Sequence, residues 1–242
     1  MIEVKRDASD LIHRVLPLRV ASAGQAPALL LIHGRGADEL DLLSLASQLD
    51  PRLLVLSVRA PFPLGPGYHW YDLAAIGEPE PRTFASGLDA LRRFITSAIV
   101  DYDIDPRRLF LLGFSQGAVM SGALILTEPW VSAGTIMLSG YLPLRSGLAI
   151  EAAALRGYPL FVAHGVADGV IPVTFGRESR DYLTQAGAEI TYREYPIAHQ
   201  ISPEELAEIA RWLSRRIDST SGVTSDKRDG QRGQDSTAAG LV

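Results

Sequence analysis

Short apolar runs alternate with amphipathic stretches along most of the chain. Several of these runs are almost continuous in Leu, Val, Ile and Phe, which is typical of strands that are covered on both faces of a parallel sheet. The runs predict strands at His13–Val20, Ala28–His33, Leu53–Val58, Arg108–Gly113, Gly134–Ser139, Pro159–His164 and Glu189–Tyr195.

Amphipathic stretches lie between these strands and predict helices. The clearest start is at Ser202, a favourable N-cap residue, which is followed by Pro203 at the first helical position and by acidic residues in the first turn. The predicted helices are Asp38–Leu49, Arg82–Val100, Ser115–Thr127, Val173–Ala186 and Pro203–Ile217. The alternation indicates an α/β fold in which a mostly parallel central sheet carries helices on both faces.

Two segments depart from this alternation. Residues Pro61–Pro81 are rich in proline, glycine and aromatic residues, and we interpret them as a long irregular binding loop. From Asp218 to Val242 the chain is polar with almost no large apolar residue, so we expect residues 1–217 to form a single domain and residues 218–242 a disordered tail. The stretch from Ser139 to Pro159 is too short for a large cap domain.

Composition excludes several classes of function. The net charge is −5 and there is no long basic run, so we expect no nucleic-acid partner. The chain has no cysteine, which excludes disulfides, cysteine nucleophiles and thiolate metal sites. No apolar run approaches the roughly 18–20 residues that span a bilayer, and the first residues are too charged for a signal peptide. We therefore expect a cytoplasmic protein without stable membrane insertion.

The sharpest chemical signal is the sequence Gly-Phe-Ser-Gln-Gly around Ser115. It follows a predicted buried strand and opens a predicted helix, so the serine lies on a tight turn that exposes its hydroxyl group. The alternative interpretation is a glycine-rich turn with a serine that only caps the helix. The strand–turn–helix position favours a nucleophile.

A serine nucleophile needs a base, and the base needs an acid that orients it. On a turn of this kind the order along the chain is serine, acid, histidine. His199 lies in the loop after the last predicted strand and satisfies that order, whereas His164 leaves no acid-bearing strand end between itself and Ser115. Asp168 follows a strand and a glycine, while its rival Asp181 falls within a predicted amphipathic helix. We therefore predict Ser115, Asp168 and His199 as a catalytic triad.

The negative charge that develops on a substrate carbonyl needs backbone N–H donors. One donor of such a site is the residue after the nucleophile, which is Gln116, and the other comes from the loop after an early strand. That loop contains Arg35 between two glycines. We predict the main-chain N–H groups of Arg35 and Gln116 as the oxyanion hole.

Taken together, the chain resembles the phospholipase/carboxylesterase family of α/β-hydrolases, which includes acyl-protein thioesterases and small bacterial carboxylesterases. The matching blocks are LLLIHGRGADELDLLSLA, HWYD, GFSQGAVMS, HGVADGVIPV and AHQIS, and they cover most of Ala28–Ile201 in order. Ala198 departs from the glycine expected before the histidine, which bears on the shape of the site there. The resemblance implies the α/β-hydrolase fold and ester or thioester hydrolysis without a metal or organic cofactor.

The expected activity is that of a serine carboxylesterase that hydrolyses short- to medium-chain esters through an acyl-enzyme. An acyl-protein thioesterase or lysophospholipase for long acyl chains is the alternative, and a catalytically dead binding scaffold is an alternative of another class. We expect a small-molecule ester to be the partner, with the protein a monomer or homodimer. The predicted substrate-binding residues are Leu64, Trp70, Tyr71 and Val170.

Overall fold

The computed structural model describes residues 3–6, 11–20 and 24–221. The strands, numbered in chain order, are β1 Glu3–Arg6, β2 Ile12–Leu16, β3 Ala26–Ile32, β4 Leu54–Val58, β5 Phe62–Leu64, β6 Gly67–His69, β7 Leu73–Ala75, β8 Glu78–Pro79, β9 Ile104–Phe114, β10 Gly134–Leu138, β11 Pro159–Gly165 and β12 Glu189–Tyr195. The helices are α1 Pro81–Asp101, α2 Gln116–Thr127, α3 Val173–Gln185 and α4 Pro203–Ser221.

Eight strands form the central sheet in the order β1-β2-β4-β3-β9-β10-β11-β12. Strand β2 pairs antiparallel with both β1 and β4, and the remaining neighbours are parallel. The carboxyl ends of six adjacent strands, from β4 to β12, therefore meet at one edge of the sheet. This architecture confirms the predicted mostly parallel α/β fold.

Side chains of the central strands alternate between two apolar layers. In β3, Leu30 and Ile32 pack towards α1 and α2, whereas Leu29 and Leu31 pack towards α4 and the 3₁₀ segment Asp41–Gln48. All four are almost inaccessible to solvent. Because both faces of the sheet are covered, the strands read as continuous apolar runs in the sequence.

Several predicted boundaries were wrong. The predicted helix Asp38–Leu49 is the 3₁₀ segment Asp41–Gln48, and the strand predicted to reach Val20 ends at Leu16. Residues Pro61–Pro81 are not an irregular loop, because they contain the hairpins β5–β6 and β7–β8.

The end of the last helix also differs from the prediction. Helix α4 continues past Ile217 to Ser221, so the expected tail does not begin at Asp218. Arg52 donates a hydrogen bond to the Asp218 carboxylate across 2.7 Å and also holds Asp50, which ties this last turn to the body of the protein. The remainder of the predicted tail, residues 222–242, lies outside the described residues. None of the helices in the described ranges is both long and apolar enough to cross a membrane.

The start of α4 contains a buried carboxyl group. Ser202 Oγ accepts a hydrogen bond from the Glu205 N–H, and the Glu205 side chain accepts one from the Ser202 N–H, which is a reciprocal capping box. Glu205 is 1% exposed. Burial raises the pKa of Glu205 to about 7, although the bond from the Ser202 N–H acts in the opposite direction.

We expect Glu205→Gln to stabilise the protein at pH 8. The pKa of Glu205 is higher in the folded than in the unfolded state, so the neutral carboxyl contributes fully to stability below about pH 4.5. This contribution is lost as the pH rises through 7. Glutamine keeps the capping acceptor and removes the buried charge, so unfolding at pH 8 should cost on the order of 1–3 kcal/mol more than in the wild type. Thermal melting at pH 4.5 and pH 8 measures the difference, which should vanish at the lower pH. The exposed neighbour provides the control variant Glu204→Gln, and equal melting of Glu205→Gln and wild type at pH 8 would contradict the prediction.

Candidate active site

Ser115 lies on a strained turn between β9 and α2. Its backbone has φ 54° and ψ −117°, a conformation that non-glycine residues adopt only when the surrounding structure enforces it. The Ser115 N–H donates to the Leu138 carbonyl across 2.9 Å. A methyl group at Gly117 would lie 1.9 Å from the Ile32 carbonyl oxygen, and one at Gly113 would lie 2.3 Å from the Gly117 carbonyl oxygen. Both glycines are therefore required for the backbone to approach this closely.

The three residues predicted as a triad come together at this turn. His199 Nε2 lies 2.9 Å from Ser115 Oγ, and His199 Nδ1 lies 2.7 Å from Asp168 Oδ2. Because a carboxylate only accepts, Nδ1 carries the proton and donates to Asp168, which leaves Nε2 free to accept from the serine hydroxyl. The Phe114 ring packs on the imidazole with the ring centres 4.9 Å apart. The arrangement has the geometry of a nucleophile, a base and an orienting acid.

The Asp168 carboxylate is fully buried and hydrogen-bonded at both oxygens. Oδ1 accepts from the N–H groups of Val170 and Ile171 at 2.8 and 2.9 Å, while Oδ2 faces His199. Burial alone would raise its pKa, but the hydrogen bonds from His199 and the two backbone groups outweigh burial and hold the pKa of Asp168 below its ordinary value. The acid is therefore ionised at neutral pH.

Backbone contacts join the loop of the acid to the loop of the base. Val166 N–H donates to Tyr195 O across 2.9 Å, and Ala167 N–H donates to Ile197 O across 3.1 Å. A methyl group at Gly165 would lie 2.4 Å from the carbonyl oxygens of both Ile197 and Ala198. Glycine at position 165, the end of β11, therefore lets the backbone of the two segments approach this closely.

The segments that carry the two predicted oxyanion donors lie beside Ser115. Gln116 is the first residue of α2, so its N–H has no acceptor within the helix. A methyl group at Gly34 would lie 3.2 Å from Ser115 Cβ, which places the peptide between Gly34 and Arg35 beside the nucleophile. That peptide is held by His33, whose Nδ1 donates to the Gly34 carbonyl across 2.7 Å while Nε2 accepts from the Ala60 N–H across 3.0 Å. Burial lowers the pKa of His33, which favours this neutral form.

Gln116 has a second role that the sequence did not reveal. Its side-chain carbonyl accepts from the Trp70 N–H, and its amide donates to the Tyr71 carbonyl, each across 2.7 Å. The Trp70 indole N–H in turn donates to the His33 carbonyl across 3.0 Å. Hydrogen bonds thus join the nucleophile turn to the Gly34 peptide. The long sequence separations leave no local pattern for such a network.

A family model for phospholipase/carboxylesterase proteins matches residues 19–217. The chain belongs to the phospholipase/carboxylesterase family. It is 30% identical over 151 residues to acyl-protein thioesterase 1 of Debaryomyces hansenii, a match that covers 60% of this chain and 65% of that protein. It is 29% identical over 160 residues to the probable carboxylesterase SOBER1-like of Arabidopsis thaliana, covering 63% and 60% of the two chains. The matches thus span less than two thirds of these relatives.

The fold is similar to that of a solved carboxylesterase. The Bacillus cereus carboxylesterase has a TM-score of 0.76 and 26% identity, and the match covers 85% of this chain and 94% of that structure. This similarity confirms the predicted α/β-hydrolase fold and the resemblance that the motifs carried.

The predicted substrate-binding residues fall into two groups by their exposure to solvent. Trp70 and Tyr71 are 0% and 1% exposed, so their side chains belong to the core and do not form the wall of an open groove. Leu64 in β5 is half-buried, and Val170 beside the acid is 54% exposed. Contact of Leu64 and Val170 with a substrate stays a prediction. Within residues 3–6, 11–20 and 24–221, no group of three or more metal-ligating side chains is clustered.

Proposed function

We propose that this phospholipase/carboxylesterase family member is a serine carboxylesterase that hydrolyses short- to medium-chain esters through an acyl-enzyme. The hydrogen-bonded series Ser115–His199–Asp168, with contacts of 2.9 and 2.7 Å, carries the proposal. It is the arrangement in which a histidine activates a serine hydroxyl. The presence of all three groups argues against an inert binding scaffold.

In the proposed reaction, Ser115 Oγ attacks the ester carbonyl while His199 Nε2 takes the hydroxyl proton. Asp168 holds the imidazole and stabilises the imidazolium that forms. The N–H groups of Arg35 and Gln116 donate to the oxygen on which negative charge develops. His199 then passes its proton to the departing alcohol. A water molecule attacks the acyl-enzyme by the same steps, releasing the carboxylic acid and restoring Ser115.

The expected preference for short acyl chains comes from the limited cover over the site. Between β10 and β11 the described chain holds only the 3₁₀ turn Ala152–Leu155, so no cap built there forms a deep tunnel. The extra material is the pair of hairpins at residues 62–79, with Leu64 on β5, and the turn that carries Val170. The similarity to an acyl-protein thioesterase keeps long-chain thioesters, and lysophospholipids with them, as the second candidate substrate class.

The triad is tested by substitution. Ser115→Ala and His199→Ala should each lower kcat for nitrophenyl butyrate by about 10⁶, because the residues act as a unit, and the double variant should be little worse. Asp168→Asn should cost on the order of 10⁴ because it favours the wrong tautomer of the histidine. A fluorophosphonate should label Ser115, with mass spectrometry locating the adduct.

Matched controls are available for two of these variants. Ser86 and Asp181 are exposed on α1 and α3, so Ser86→Ala and Asp181→Asn should keep wild-type kcat. Near-normal activity of His199→Ala, or labelling of a serine other than Ser115, would overturn the triad.

The role of residue 35 is tested by separating its backbone from its side chain. As an oxyanion donor it supplies an N–H group that every residue except proline has. Arg35→Ala should therefore keep most activity towards a neutral ester, whereas Arg35→Pro should lose about 10²–10³ in kcat. Circular dichroism and thermal melting check that both variants fold. A large loss in Arg35→Ala would assign the role to the guanidinium instead.

Acyl-chain preference is tested with nitrophenyl esters of two to sixteen carbons. We expect kcat/KM to rise from acetyl to butyryl or hexanoyl, since each buried methylene contributes roughly 0.8 kcal/mol, and then to flatten. Leu64→Ser and Val170→Ser should blunt the rise and leave acetate hydrolysis nearly unchanged. Val100, 77% exposed near the end of α1, provides the control Val100→Ser. A steady rise to palmitoyl would replace the short-chain proposal with the thioesterase or lysophospholipase alternative.

A further inference from the structure

We propose that His164, which has no step in the triad chemistry, is a positioning residue for the catalytic acid. The proposal rests on the proposed function, because it gives Asp168 a second histidine besides His199. His164 is the second-to-last residue of strand β11, and its side chain is completely buried.

The imidazole of His164 points into the turn that presents the acid. Its Nε2 lies 2.8 Å from the Ile171 carbonyl oxygen and 3.4 Å from Asp168 Oδ2. Both neighbours are acceptors, so Nε2 carries a proton. The 2.8 Å contact is the hydrogen bond, and the same positively polarised N–H edge faces the carboxylate.

His164 and His199 together restrain the Asp168 carboxylate from two sides. Ile171 is held twice, since its N–H donates to Asp168 Oδ1 and its carbonyl accepts from His164. Asp168 Oδ2 lies between the two imidazoles, at 2.7 Å from His199 Nδ1 and 3.4 Å from His164 Nε2. To rotate away from His199, the Asp168 carboxylate would have to break its hydrogen bonds to the backbone of the turn and leave the buried N–H of His164.

Helix α3 fixes the other edge of the His164 ring. Nδ1 is buried and has no hydrogen-bond partner in the described part of the chain, and the backbone at Gly176 lies against it. A methyl group at Gly176 would lie 2.7 Å from Nδ1. Glycine inside a helix costs about 1 kcal/mol relative to alanine, and no positive φ requires it at this position. The space that the imidazole occupies gives a physical reason for glycine at this point of α3.

The functional consequence concerns kcat more than KM. When His199 accepts the serine proton, the imidazolium is stabilised by a carboxylate at fixed distance and angle. Without His164, the acid remains ionised and bonded to two backbone groups, but its orientation is less restrained. A small displacement of a catalytic group can lower the rate by about 10²-fold. Substrate binding, which uses other side chains, is unaffected.

The first experiment compares His164→Phe with His164→Gln. The phenylalanine keeps a buried ring without a donor and should lower kcat by about 10–100-fold with little change in KM. Glutamine restores an N–H donor and should recover most of the loss. His13, which is also fully buried but bonds to Leu11 O and the Tyr102 hydroxyl, provides the control His13→Phe, which should keep kcat in whatever fraction folds. Equal kcat in His164→Phe and wild type would overturn the proposal.

The second experiment is a double-mutant cycle with the acid. If His164 acts through Asp168, His164→Phe should have almost no further effect on kcat in the Asp168→Asn background. Full additivity of the two losses would show a role independent of the acid and would overturn the proposal.

Gly176→Ala is the alternative variant if His164→Phe does not fold. It should lower kcat because the added methyl group displaces the His164 ring, although alanine favours the helix. Unchanged kcat in this variant would count against the proposal.

The two proposals fail in different ways. If Asp168→Asn retains wild-type activity, the triad itself is wrong. If Asp168→Asn loses activity while His164→Phe does not, the triad stands and only the positioning role of His164 is lost.

Discussion

The site depends on one close backbone contact, between the first turn of α2 and the end of β3. Gly117 approaches the Ile32 carbonyl so closely that no side chain fits, and this approach brings Ser115 beside the Gly34 peptide. The positive φ at Ser115 costs on the order of 1–3 kcal/mol. Burial of nearly the whole of α2 and the bond from Ser115 N–H to Leu138 O hold the strained turn in place. Ser115 is therefore positioned by the packing of α2 against the sheet.

Two separate sets of hydrogen bonds hold the segments that surround Ser115. On one side, the Gln116 side chain holds the backbone of Trp70, whose indole bonds to His33, and His33 holds the peptide that presents the Arg35 N–H. On the other side, the loops after β11 and β12 are joined to each other and carry Asp168 and His199. The predicted oxyanion donors and the predicted base can thus be disturbed separately by substitution, although both lie beside Ser115.

The sequence predicted those parts of the site that follow from strand order and strand ends. Ser115, Asp168 and His199 each follow a predicted strand, and parallel strands end at one edge of the sheet, so their convergence could be anticipated. The burial of Trp70 could not, because aromatic residues in a proline-rich segment suit an exposed groove equally well. Its burial depends on hydrogen bonds to residues far away in the sequence. The extension of α4 to Ser221 was missed because its last turn is polar and contacts Arg52 from another part of the chain.

Exposure within the predicted triad indicates from which side the reaction is open to solvent. The Asp168 side chain is fully buried, Ser115 is 8% exposed, and the His199 side chain is 17% exposed. Phe114 covers one part of the imidazole, and Asp168 occupies its Nδ1 edge. In the proposed reaction, the proton transfers to the leaving alcohol and from the incoming water both occur at Nε2. The alcohol of the first half-reaction and the water of the second therefore exchange their protons with the same imidazole nitrogen. The water can be activated there only after the alcohol has taken the proton, which is the order that an acyl-enzyme requires.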